Sequence, residues 1–99
     1  MANFRLSGDT AFIGGDLTVN AGSALQTFLR NLLSATRTKV TIDLRGADVW
    51  DSSTVQLFLS WMKSRSEGTV TWRNMPRDMV GDLRIMGLAK LFNGATNEQ

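Results

Sequence analysis

Residues 51–54 read Asp51-Ser52-Ser53-Thr54, an acid followed by three hydroxyls. Asp and Ser are strong helix N-cap residues, because their oxygens accept from the free amides of a first helical turn. Those amides and the helix dipole also favour negative charge at that spot. A hydroxyl placed there can accept a phosphate with little local penalty. The simpler reading of the same residues is plain capping.

Asp43 and Asp51 invite a second chemistry. Two carboxylates near the carboxyl ends of strands, with Asp48 in the loop between them, could do acid-base work or hold a magnesium ion. No nucleophile-base pair and no phosphate-cradling glycine loop accompanies them. One strand-end acid and one helix cap is the reading we adopt, and no cofactor is implied. Trp50, Trp61 and Trp72, interleaved with Arg45, Arg65 and Arg73, could stack on RNA bases. Large aromatics inside elements are more often core or interface, and the basic residues are scattered, so no nucleic-acid partner is expected.

Composition narrows the choice further. The chain has 99 residues, is 42% hydrophobic and 20% charged, and carries a formal charge of +2. That suits one globular domain over residues 1–99. It has neither cysteine nor histidine. Disulfides, thiol chemistry, a Ser-His-Asp triad and a histidine-ligated zinc are therefore excluded within it. No apolar run is long enough to span a membrane, and residues 1–5 lack a signal-peptide core, so a cytoplasmic protein without membrane insertion is expected.

The elements that must position the Asp51 unit follow from periodicity and punctuation. Phe4 to Leu6 and Thr10 to Ile13 read as a hairpin around Ser7-Gly8-Asp9. Gly14-Gly15-Asp16 breaks or bulges the second strand, with Leu17-Thr18-Val19 as its expected continuation. Asn20 can cap a helix to about Ser34, with Ala21, Leu25, Phe28, Leu29 and Leu32 at helical spacing; Thr36 and Arg37 end it. Lys39 to Leu44 alternates, with Val40, Ile42 and Leu44 on one face. Arg45 to Asp48 reads as a loop. The helix after Asp51 runs to about Ser66, stopped by Glu67-Gly68. Thr69 to Trp72 is a strand. Pro76 to Met86 is an amphipathic helix using Met79, Val80, Leu83 and Met86, with Pro76 at its start. Leu88 to Phe92 is a short helix or turn, and residues 93–99 are a frayed tail. Alternating strands and helices after a hairpin predict an α/β fold, a mixed sheet of about four strands covered by helices.

Three stretches, in this order, resemble the STAS domain family, the fold of bacterial anti-sigma factor antagonists. Gly15-Asp16-Leu17-Thr18-Val19 is similar to its glycine-acid stretch. Val40-Thr41-Ile42-Asp43-Leu44-Arg45 is similar to its central strand, and Asp51-Ser52-Ser53 to its signature. The ending Met86-Gly87-Leu88-Ala89-Lys90-Leu91-Phe92 also fits. The family pattern usually has Gly-Leu after the second hydroxyl; here Thr54-Val55 stand, and Thr54 is expected to add a side chain at that surface. The resemblance implies a non-enzymatic regulatory module acting by partner switching. A kinase-type anti-sigma factor would bind it and phosphorylate Ser52, with Ser53 as second choice. Such a phosphate adds a charge of about −1.5 to −2 beside Asp51. The alternative is a cytoplasmic accessory subunit of a lipid-transport ABC system, bound to the transporter ATPase.

Partner contacts are expected at Asp51, Ser52, Ser53 and Thr54, and at Leu57 and Trp61. On a wheel of about 100° per residue, Val55, Phe58, Leu59 and Met62 form one core stripe. Leu57 and Trp61 fall to another side. They either bury against the Pro76 helix or form an exposed apolar pair that docks the partner.

Overall fold

The computed structural model describes residues 1–35, 38–65 and 69–92. Among these residues are five strands and three helices, all but β4 in the order that the periodicity predicts: β1 (Asn3–Ser7), β2 (Thr10–Asp16), α1 (Gly22–Ala35), β3 (Lys39–Asp43), β4 (Ala47–Val49), α2 (Ser52–Ser64), β5 (Thr69–Arg73) and α3 (Arg77–Ile85). The expected helix stops at residues 36–37 and 66–68, and the expected tail at 93–99, lie outside the described residues.

The sheet runs β1-β2-β3-β5, with β1 antiparallel to β2 and the remaining pairs parallel. Both parallel crossovers, β2 to β3 through α1 and β3 to β5 through α2, step the same way across the sheet. Right-handed crossovers then put both helices on one face. Alternation decides which side chains lie there. Ala11, Ile42 and Trp72 stand in register on neighbouring strands and are all buried. α1 contributes Leu25, Leu29 and Leu32 to the same core, and α3 contributes Met79, Val80 and Leu83. Trp72 is the hub, with ring centroids 5.0 Å from Phe58, 6.4 Å from Trp61 and 4.7 Å from Phe92.

Three local readings change. Residues 45–48 are not simply a loop: β4 pairs parallel with the far end of β2, at Gly15 and Asp16. A three-residue strand has no alternation to read, and its partner lies some thirty residues away. The chain after β2 does not continue as a strand to Val19. Leu17 N donates to Val49 O at 2.7 Å, and a 3-10 turn at Val19–Ala21 leads into α1. The helix therefore opens from that turn and not from an Asn20 cap. Met86 is 41% exposed and does not join the α3 core stripe.

The Gly14-Gly15 pair is demanded by close approach. Gly15 has φ +81, and a Cβ there would lie 2.1 Å from the Met1 carbonyl oxygen. Only glycine takes that backbone without strain. The bulge lets β2 pass from β3 to β4 and delivers Leu17 to the start of α2.

Candidate functional site

α2 starts as its residues require. Asp51 is the N-cap, in extended conformation, and its carboxylate accepts from Ser53 N at 3.0 Å and Thr54 N at 3.3 Å. Thr54 Oγ1 accepts from Asp51 N at 3.2 Å, closing a reciprocal capping box. The same carboxylate accepts from the Ser53 hydroxyl, and across 32 residues from Val19 N at 3.1 Å. Asp51 thereby ties α2 to the turn before α1. These donors hold its carboxyl below the ordinary 3.8, the Ser53 hydroxyl first, while partial desolvation acts the other way. Asp16 is lowered likewise by the Thr18 hydroxyl and amide, its oxygen accepting at 2.6 and 2.9 Å.

The three hydroxyls differ in their employment. Thr54 is fully buried, and its hydroxyl donates to the Leu17 carbonyl. Ser53 is half-buried and donates to Asp51. Ser52 is exposed and has no hydrogen-bond partner among the described residues. It sits on a ridge between two shallow depressions. One lies toward α1, bordered by Val19, Gln26, Gln56 and Leu57. The other lies toward α3, bordered by Trp50, Asp82, Ile85 and Met86. Among the described residues, neither depression has a lysine or arginine in its lining. A phosphate on Ser52 would share its depression with the carboxylates of Asp51 and Asp82 and with no cation among the described residues that line it. The amides of Ser53 and Thr54 are already taken by Asp51.

Two expected contact residues are corrected. Thr54 adds no side chain to the surface, because it points into the core to close the capping box and reach Leu17. Trp61 is only 4% exposed, so it is not half of an exposed pair. Its ring stands edge-on to Trp72 at 89°, and with Leu57 it lines a cleft against Leu29 and Leu33 of α1. Leu57 is half-buried there, while Leu59 and Met62, expected in the core, are half-buried at its margin.

Exposed apolar side chains nevertheless surround Ser52, at positions that sequence reasoning missed. Val19 is 68% exposed, Ile85 87% and Met86 41%. Ile85 had a legible signal, since it falls on the polar side of an amphipathic helix. Val19 had none, because its exposure follows from the turn that replaces the expected strand.

The two carboxylates considered for catalysis are separately occupied. Asp43 is buried and accepts from Arg45 N at 2.9 Å and Asn74 Nδ2 at 3.0 Å, while Asp51 caps α2. Among the described residues no three acidic side chains gather as a cation site. Trp61 and Trp72 are buried, and the Trp50 indole donates to Asp82 at 3.1 Å. No described helix is long and apolar enough to cross a membrane.

Among family models, STAS_2, described as "Mlab, STAS domain", matches residues 5–93. Comparison with curated proteins finds no match.

Proposed function

Because the chain belongs to the STAS domain family, whose members are generally non-catalytic and commonly mediate protein–protein interactions, we propose that it is a cytoplasmic regulatory module that binds a kinase-type anti-sigma factor and is switched by phosphorylation of Ser52. The observation that carries this reading is the employment of the hydroxyls. Ser52 alone at the start of α2 is exposed and unbonded, while Ser53 and Thr54 are spent on the cap and the core. Ser53 stays the second choice, since its hydroxyl would have to leave Asp51 first. Val19, Ile85 and Met86 supply apolar surface on both sides of Ser52, suited to a partner that covers it. With no cation among the described residues beside Ser52, a phosphate acts on the partner's approach and leaves the fold alone.

Ser52→Asp is expected to melt like the parent and to bind the partner at least about tenfold more weakly, whereas Ser52→Ala binds normally. Calorimetric titration with the captured partner measures both. Equal binding by all three proteins would remove Ser52 from the interface.

A second reading, an accessory subunit bound to the ATPase of a lipid-transport ABC system, is favoured by the match to the Mlab description. Affinity capture from the native host distinguishes the two. A kinase-like ATPase supports the first and a transporter ATPase the second.

A further inference from the structure

With the helices on one face, the opposite face of the sheet carries its own ordered rows. Residues directly paired on neighbouring strands share a face. Arg5 pairs with Phe12, Phe12 with Asp43 and Asp43 with Arg73, so one row crosses β1, β2, β3 and β5. Ser7, Thr10, Thr41 and Thr71 form the next row, two residues along each strand. The charges in the first row are unequal. Asp43 is 3% exposed, and its oxygens are taken by Arg45 N, Asn74 and, at 3.7 Å, the Arg73 guanidinium. Arg5 and Arg45 are exposed and have no carboxylate partner among the described residues. Arg5 is held in place by stacking, its guanidinium carbon 4.4 Å from the Phe12 ring centre. Both border one open depression, with Asn3, Phe12 and Gly46. None of these residues borders the surface around Ser52.

We propose that this open sheet face is a second docking surface, for an extended acidic segment of a protein partner. Charge selects the sign, since two uncompensated guanidiniums face outward, the carboxylate of their row is paired with Arg73 and that of Asp9 with Lys39. Arg5 lies on β1 and Arg45 follows β3, two strands away and about 10 Å between backbones, so two acidic side chains of one segment can meet them separately. Successive rows are about 7 Å apart, which is also the spacing of alternate side chains in an extended peptide. The hydroxyl row then offers donors to the same segment.

The test is a titration of the full-length chain with hexaglutamate at low salt, followed by amide NMR. Shifts are expected at residues 3–5, 12–14 and 43–46. The double variant Arg5→Gln/Arg45→Gln should bind about tenfold more weakly, the product of two exposed ion pairs. The charge-matched variant Arg77→Gln/Arg84→Gln, on α3, should bind like the parent, as should Ser52→Asp. Equal loss in both double variants would reduce the effect to net charge and overturn the proposal. So would inorganic phosphate shifting the same amides as strongly, which would mark a small-anion site. Tighter binding of hexathymidylate than of hexaglutamate, or no binding of the peptide at all, would overturn it too.

Discussion

At the scale of single residues, the start of α2 separates two jobs that look alike in the sequence. Asp51, Ser53 and Thr54 hold the structure, and Ser52 is left over. Thr54 carries the clearest structural test. Thr54→Val keeps the shape but leaves the buried Leu17 carbonyl without its donor, a loss of about 1–3 kcal/mol in denaturant unfolding. Asp51 carries a pH dependence. Its folded carboxyl is lowered from the ordinary 3.8, so its unfolded form binds a proton first as pH falls. The stability it contributes is therefore full above about pH 4 and lost as pH drops through the lower folded value. Melting curves should show Asp51→Asn lowering the midpoint at neutral pH and converging on the parent in strong acid.

At the scale of elements, α2 shows how one residue rotates a predicted stripe. Val55 and Phe58 are buried as their spacing predicts. Thr54 and Trp61 are buried too, and with Phe58 they lie within about 60° on the helical wheel. Counting Thr54 as polar hid that arc and moved its centre toward Leu59 and Met62. The helix meets α1 on one flank and Trp72 beneath, so its buried face is wider than a single sheet contact requires. Trp61→Ala should accordingly lower unfolding free energy by about 3–5 kcal/mol, read by urea titration. An unchanged curve with weakened partner binding would restore the docking role that its burial denies it.

At the scale of the whole molecule, the helices lie on one side of the sheet, and β3 is its centre. β3 is flanked by β2 and β5 and buries Val40, Ile42 and Asp43. Amide exchange should be slowest at residues 40–42 and fastest among the described residues at the 3-10 turns, whose bonds face solvent. Protection greatest in β1 would contradict this placement. The one-sided arrangement also means that the chain presents two unlike surfaces, an apolar one around Ser52 and a polar, basic one on the bare sheet.

Much of this was legible in the chain itself. The order of elements, the Asp51 capping box and the alternation of residues 39–44 rest on interactions within a few residues, where spacing is a physical record of the fold. The family resemblance followed from the same stretches. Tertiary structure alone decided the rest. β4 exists because β2 passes it after the bulge. Thr54 is buried because the Leu17 carbonyl comes from 37 residues away to accept its proton. Trp61 is covered because Trp72 and α1 converge on it. Val19, Ile85 and Met86 stay bare because no described element covers them. Burial and hydrogen-bond pairing depend on distant segments meeting, and only their meeting left Ser52 as the free hydroxyl of the three.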